Sequence, residues 1–328
     1  MRRVLFIVND RRSIGPTQSS ALFIERLCRE GVEVWVVGAD GVSTEPSGSV
    51  VAEAVRVDGM PGWRARAGQD AIRWIALDYV DVVWVRTNPG RATSPELHSL
   101  LIQQLQIFSS QGGLVVNDPG GLMRASSKHY LHQLPEWVRP KTLVTASMAR
   151  IRDFVAEHQT AVLKPMAGTQ GRDVFLVRGV DDPNLSAIAA HLSQRGPAMV
   201  QTFANGAEHG DVRILLLNGE AIEVGGDACM VRRRPAHGEF RSNVHLGGRA
   251  ERAQLTPHLR RVIEAVGPVL RRDGMLLVGL DVVGDLVVEC NVFSPGGFVD
   301  AQTFTGRDFV APVLEGLSRV VRGLVHPL

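Results

Sequence analysis

Apolar and polar positions follow two periods along this chain, and the first hundred residues set the pattern. Val4–Val8 is a continuous apolar run of strand length, ended by polar Asn9–Ser13. Helical spacing takes over from about Thr17 to Glu30, Gly31 stops it, and Val32–Val37 is a second strand. Strand, helix, strand in this order predicts a parallel sheet. Residues 40–70 are rich in Gly, Ser and Pro and read as loop, with a short strand near Val50–Val57. Val80–Val85 is the next strand and runs into Arg86-Thr87-Asn88-Pro89-Gly90. Ser94 and Pro95 then supply the cap and first position of a helix reaching about Ser110. Gly112-Gly113 end that helix, Leu114–Asn117 forms a further strand, and Asp118-Pro119-Gly120-Gly121 closes a first domain, 1–121.

A second unit, 122–203, opens with a helix expected over about Leu122–Leu134, which carries Lys128. Val162–Pro165 is a strand leading into Met166-Ala167-Gly168-Thr169-Gln170-Gly171, and Val174–Val177 is the next strand. Strand, glycine loop, strand is either a plain hairpin or a flap whose backbone N–H groups cover phosphates. It is no Walker loop, because GxxxxGK[ST] is absent. A helix over about Pro183–Arg195 and the strand Ala198–Phe203, with polar Gln201 and Thr202, complete the unit.

The third unit, 204–328, begins a strand at Asp211-Val212-Arg213 that turns at Asn218-Gly219, a type I′ hairpin signal. Alternation puts Asp211 and Arg213 on one face, either as a cross-strand ion pair or as groups addressing a ribose and a phosphate. Val231–Arg252 is densely basic, with Arg232, Arg233, Arg234, Arg241, Arg249 and Arg252. Such a run is a solvated face or, interleaved with Gly238, Gly247, Gly248 and Asn243, a lid that closes over anions. Pro257–Arg272 is an amphipathic helix and Phe309–Gly323 a closing one.

Between those helices lies Gly279–Gly297, where two apolar runs flank Gly284-Asp285 and carry acids among their apolar positions. Glu289 and Asn291 are two apart and share a face of their strand. Asp281 joins them if the turn spans an odd number of residues, as with a bulge; a strict two-residue turn places it opposite. Two carboxylates and an amide oxygen on one face are hard ligands suited to Mg²⁺ on nucleotide phosphates. The alternative is a half-exposed hairpin with its polar residues towards water. Cys290 faces the other way and reads as a core residue.

Composition narrows the function classes. The 328 residues carry 36 Lys+Arg against 34 Asp+Glu, a net charge of +2, which disfavours nucleic acid or a membrane surface as partner. Only three cysteines are present, Cys28, Cys229 and Cys290, with neither a CxxC pair nor a disulfide framework. Met1-Arg2-Arg3 leads straight into Val4–Val8, too short for the apolar core of a signal peptide, so a cytoplasmic location is expected. The turn after the first strand lacks GxGxxG, which disfavours a nicotinamide enzyme. The histidines show no HExxH spacing and no GxSxG elbow exists. The basic residues are nearly all Arg; the lysines are Lys128, Lys141 and Lys164, and a retained Lys is either a place for a compact ammonium or a chance survivor.

Taken in order, VRTNPG, NDPGGLMRASSK, PKTLVT, VLKPMAGTQG, DDPNL, MVQTFA, GDVRILLLNGE, RSNVHLGGR, VGLDVVGD and VECNVFSP make the chain resemble the ATP-grasp superfamily, specifically the bacterial glutathione synthetase family. The resemblance covers essentially the whole length. It implies an α/β (α+β) ATP-grasp fold with an N-terminal Rossmann-like parallel-sheet domain. It also implies ATP-dependent joining of a small-molecule or short-peptide carboxylate to an amine through an acyl phosphate, with ATP and Mg²⁺ (or Mn²⁺) as cofactors, in a homo-oligomer, a dimer or tetramer. By the same resemblance Lys128, Lys164, Gly168 and Gly171 hold the phosphates, Gln201, Phe203 and Ala204 grip adenine, and Asp211 lies near the ribose. Asp281, Glu289 and Asn291 match the metal ligands. Arg213 and Arg241 match arginines around the transferring phosphate and acyl group, and Arg86, Thr202, Asn243, Ser294, Gly296 and Gly297 lie where substrate is held.

Three positions depart from the family pattern, all on the substrate side. Asn9-Asp10 stands for Asp-Pro after the first strand, Asn88-Pro89-Gly90 for DPP, and Ser294-Pro295-Gly296-Gly297 for SPT-Cys. A changed donor or acceptor there alters specificity strongly, since an unmatched buried polar group is costly. The expected substrates are γ-glutamylcysteine and glycine, with a different peptide or amino acid as the alternative.

Overall fold

The computed structural model describes residues 1–323 except 93, 167, 169–171, 195 and 237–247. The N-terminal parallel core is present. Arg3–Val8 pairs in parallel with Glu33–Gly38 on one side and Val82–Val85 on the other, and Val115–Val116 extends the sheet. Alternation sorts its side chains onto two faces. Val4 and Phe6 pack with Phe23, Ile24 and Leu27 of the helix Ser19–Arg29. Leu5 and Ile7 pack with Leu101, Leu105 and Phe108 of the helix Pro95–Ser110. Ser94 caps that second helix by accepting from the Leu97 N–H at 3.0 Å. Residues 40–70 hold more structure than their composition implies. Besides Val50–Val57, antiparallel to Glu33–Gly38, they form the helix Trp63–Gln69, entered through Gly62 at φ 82°.

A four-stranded antiparallel sheet follows, in the order Phe175–Arg178, Thr160–Pro165, Ala198–Thr202, Thr142–Thr145. Its apolar residues form a core of their own with Ile151, Val155, Leu185, Ala189 and Leu192 from the helices Met148–His158 and Leu185–Ser193. This sheet is therefore a separate lobe. The third sheet is antiparallel around Asp211–Leu217 and Leu277–Val283, and its apolar faces merge with both cores of the first. One body and one lobe result, with a cleft between them.

Two expected elements are corrected. The helix over Leu122–Leu134 is instead the short helix Pro119–Arg124 and a separate 3₁₀ turn, Lys128–Gln133. Asp118 caps the first through the Gly121 N–H, and Ser127 restarts the chain by accepting from His129 N–H. The basic stretch from 231 to 252 is strand at both of its described ends, where Met230–Arg234 pairs with Asp211–Leu217 and with Arg249–Arg252; the expected lid residues 237–247 lie outside the described residues. Elsewhere the sequence signals hold. Asn218 (φ 49°) and Gly219 (φ 75°) make the type I′ turn, and Thr256 caps Pro257–Arg272 through the Leu259 N–H.

Candidate active site

The hairpin Leu277–Val283 and Leu286–Asn291 decides the register that the sequence left open. Gly284-Asp285 is a two-residue turn, with Val283 opposite Leu286 and Val282 opposite Val287. Beyond that pair a bulge leaves Val288 unmatched, so Glu289 stands opposite Asp281 and Asn291 opposite Gly279. One extra residue thus brings Asp281, Glu289 and Asn291 onto one face. The freed Val288 carbonyl accepts from Lys164 Nζ at 3.3 Å.

Asp281 is buried and held by two arginines. Arg213 clasps both its oxygens, with Nη2 at 2.7 Å, and Arg233 reaches Oδ2 at 2.8 Å. Arg233 also holds Asp211, Nε to Oδ1 at 2.8 Å. Burial opposes ionisation of Asp281, but Arg213 and Arg233 outweigh it and hold the carboxyl below the usual carboxylate range. Asp211 moves the other way: burial and the charge of Asp281 raise it against Arg233. Glu289 is raised by burial and by Asp281, opposed by Lys128, Lys164 and Arg213. Among the described residues the Glu289 carboxylate has no hydrogen-bond donor. Asn291 donates weakly through Nδ2 to Asp281 and to the Gly279 carbonyl, leaving its oxygen uncommitted. The open oxygens of Glu289 and Asn291 suit a hard cation; Asp281 would have to share or release an arginine to join them.

Both lysines converge on Glu289 from the other lobe and the linker. Lys164, on Thr160–Pro165, is 7% exposed, and burial pushes its ammonium down to about 8, helped by Lys128 and resisted by Glu289 and Asp281. Lys128 leads the 3₁₀ turn; its Nζ donates to the Gly168 carbonyl at 2.7 Å and its N–H to the Met166 carbonyl at 3.0 Å. Burial lowers it as well. Gly168 takes φ 133°, where a side chain is strained. Gly171, Arg241 and Asn243 lie outside the described residues.

A cavity of about 570 Å³ runs from this cluster into the body. Its lining includes Lys128, Gly168, Glu289 and Asn291 together with Asn88, Pro89, Gly90, His98 and Ser294. His98 escaped the sequence reading. It is buried, bonds Thr87 Oγ1 at 2.9 Å and packs edge-on against Phe293. Arg86 lies behind the wall rather than on it. It is 3% exposed, lies over the stacked rings of Phe23 and Trp84, and donates to the Pro295 carbonyl at 3.3 Å. Burial alone takes it down to about 9. Arg213 donates to the Gly296 carbonyl at 3.4 Å, so the segment 294–297 is held from both sides. Gly297, at φ 119°, begins the helix Phe298–Thr305 where only glycine is unstrained.

The remaining expected residues sit at the lobe's last strand. Gln201 is buried and donates to Thr142 Oγ1 at 2.9 Å; Thr202 pairs with Ala161. Phe203 packs with Ala204, Ala207 and Val283 where lobe meets body. Arg233 was also missed, being read as part of a lid. Taking Met230–Arg234 as a strand opposite Asp211 would have found it, because Asp211 and Arg233 are cross-strand partners.

Residues 127–306 match the prokaryotic glutathione synthetase ATP-grasp domain, and residues 2–123 the N-terminal domain of the same enzymes. Among solved structures, the fold is similar to D-cycloserine synthetase DcsG, with TM-score 0.69, 17% identity and 97% of this chain and 99% of the other covered. It is also similar to the ATP-grasp ligase PsnB, with TM-score 0.60, 18% identity and 97% and 100% coverage. A lobe and a body meeting over paired lysines and an acidic hairpin, with these matches, define an ATP-grasp enzyme, an ATP-dependent carbon–nitrogen ligase. Curated relatives sharpen this. Glutathione synthetase of Thermosynechococcus vestitus is 38% identical over 72% of this chain and 71% of its own length. That of Synechococcus elongatus is 32% identical over 97% and 99%. The chain belongs to the prokaryotic glutathione synthetase family.

Proposed function

We propose that this ligase joins the cysteinyl carboxylate of γ-glutamylcysteine to the amine of glycine, using ATP and Mg²⁺ (or Mn²⁺). One observation carries the reading: a single cavity is lined both by Lys128, Glu289 and Asn291 and by Asn88–Gly90 with Ser294. Phosphate and carboxylate can therefore meet inside one enclosure. In the reaction a carboxylate oxygen of the peptide attacks the terminal phosphorus of ATP and ADP leaves. The amine then attacks the acyl carbon, phosphate leaves, and the nitrogen loses a proton to give the amide.

Each chain group has a task that its position supports. Lys128 and Lys164 neutralise the phosphate oxygens, and Gly168 lets backbone approach them. Glu289 and Asn291, joined by Asp281, would hold the metal, which supplies charge neutralisation on the phosphates when bound. Arg213 sits between Asp281 and the Gly296 carbonyl, within reach of both the phosphate end and the substrate segment. Gln201, Phe203 and Ala204 flank the base, and Asp211 the ribose. By the family resemblance Arg241 serves the transferring phosphate and acyl group and Asn243 the substrate, and lobe closure excludes water from the acyl phosphate. The three cysteines are unpaired, as in a reducing cytoplasm, and the working form is a homo-oligomer.

Asn88-Pro89-Gly90 and Ser294–Gly297 favour a second reading, a different carboxylate and amine pair. ADP release measured against a panel of carboxylates and amines separates them. Strong turnover with γ-glutamylcysteine and glycine alone supports the first, and silence with that pair but turnover with another supports the second. ATP binding with no substrate-stimulated ADP release from any pair would refute both.

A further inference from the structure

Two residues beyond Lys128, Tyr130 is 3% exposed and lines the cavity. Its hydroxyl donates to Asp273 Oδ2 at 2.8 Å. Asp273 is itself 4% exposed and follows the helix Pro257–Arg272, just before the strand that carries Asp281. Arg272, at 3.1 Å, and Arg124, at 3.2 Å, also hold its carboxylate. The turn Lys128–Gln133 is thus tied at two places: to the lobe through Met166 and Gly168, and to the body through Tyr130.

A 3₁₀ turn needs such ties. Its hydrogen bonds are poorly aligned, and six residues cannot fix a long side chain by local structure alone. The Tyr130 ring packs in the main core beside Leu131 and Leu134, so packing sets its depth. The hydroxyl bond to a charged acceptor sets its rotation, and with it the direction in which the turn presents Lys128. Asp273 keeps two arginines if that bond is lost, so the bond is not needed to satisfy a buried charge.

We propose that Tyr130 is a positioning residue for ATP, acting through Asp273 to hold Lys128 against the phosphates. The proposal rests on Lys128 being a phosphate-binding lysine, and the test separates the two. ATP affinity is measured by calorimetry in Mg²⁺ for the wild type, Tyr130→Phe, Lys128→Met and the double variant, with steady-state kinetics on the first two. Tyr130→Phe should weaken ATP binding about fivefold, with KM for ATP rising in step and kcat at saturating ATP within about twofold, since ground and transition states lose the same contact. The thermal midpoint should stay near the wild-type value. In the Lys128→Met background the same substitution should have no further effect.

Unchanged ATP affinity in Tyr130→Phe, or an equal loss with and without Lys128, overturns the positioning role. Wild-type affinity in Lys128→Met overturns the lysine assignment beneath it. A fall in kcat without a change in KM would also overturn the proposal, because it would place Tyr130 in the chemical step.

Discussion

The proposed role of Lys164 in phosphate binding gives a sharp test, because at and above pH 8 its ionisation would be coupled to the arrival of the nucleotide. Free enzyme holds it at about 8, by burial first and by the neighbouring Lys128 second. Only the ammonium form attracts phosphate, so the apparent dissociation constant should scale as one plus the ratio of neutral to charged lysine. That factor is about 1.1 at pH 7 and about 11 at pH 9, a tenfold loss worth about 1.4 kcal/mol. The sign is fixed: affinity falls as pH rises through 8, and binding takes up a proton. At pH 8 roughly half of the Lys164 side chains are neutral, so uptake should be about 0.5 proton per ATP from this residue. The nucleotide does not confuse the measurement, since a terminal phosphate with a second pKa of about 6 is already ionised there. Calorimetry at pH 8 in two buffers of unlike ionisation enthalpy reads the uptake directly. Lys164→Arg keeps a charge that does not titrate, and should flatten the profile and remove that share of the uptake. Flat affinity from pH 7 to 9.5 in the wild type, with no buffer dependence, would refute the reasoning.

Three further outcomes follow from the same cluster. Glu289→Gln should lower turnover on the order of 100-fold while leaving the thermal midpoint equal or higher, because burial and Asp281 make the ionised carboxylate a cost to the apo fold at neutral pH; calorimetric titration with Mg²⁺ and a melting curve check both halves. Arg233→Met strands Asp211 and leaves Asp281 with Arg213 as its one remaining arginine among the described residues, so urea unfolding should show a loss of about 3–5 kcal/mol. Gly121→Ala would set a Cβ 1.9 Å from the Asp273 carbonyl oxygen, backbone against backbone. Urea unfolding should show a loss of about 2 kcal/mol or more, with ATP affinity falling as the Asp273 anchor shifts.

Much of the body was legible because local signals and tertiary packing agreed there. Ser94 and Thr256 cap the helices that their sequences announce, and Asn218-Gly219 turns as the pair must. The helix over 122–134 was misread because Leu122, Ala125, Leu131 and Leu134 keep an apolar rhythm across Ser126-Ser127, and only the serine cap reveals the break. The helix Met148–His158 drew no prediction, although Ser147 marks its start by accepting from the Arg150 N–H. Register at the acidic hairpin was undecidable in principle. A bulge costs one residue and flips a face, and Val-Val-Glu-Cys-Asn carries no glycine to announce it.

The substrate-side departures divide once their contacts are known. Asn9 accepts from the Asn88 N–H at 2.7 Å and donates to the Asn88 carbonyl at 2.9 Å. An aspartate at position 9 could accept but not donate, so the amide there is matched to the backbone of the neighbouring 88–90 turn. Asn9 does not line the cavity among the described residues, whereas Asn88, Pro89, Gly90 and Ser294 do. The first departure is therefore a change in how the 88–90 turn is held, and the other two are changes in what lines the cavity. Selectivity should follow Ser294 and the 88–90 turn: restoring family residues there should shift the preferred carboxylate in the ADP-release panel, while Asn9→Asp should shift stability and leave the order of preference alone. A preference reordered by Asn9→Asp and untouched at Ser294 would reverse that division.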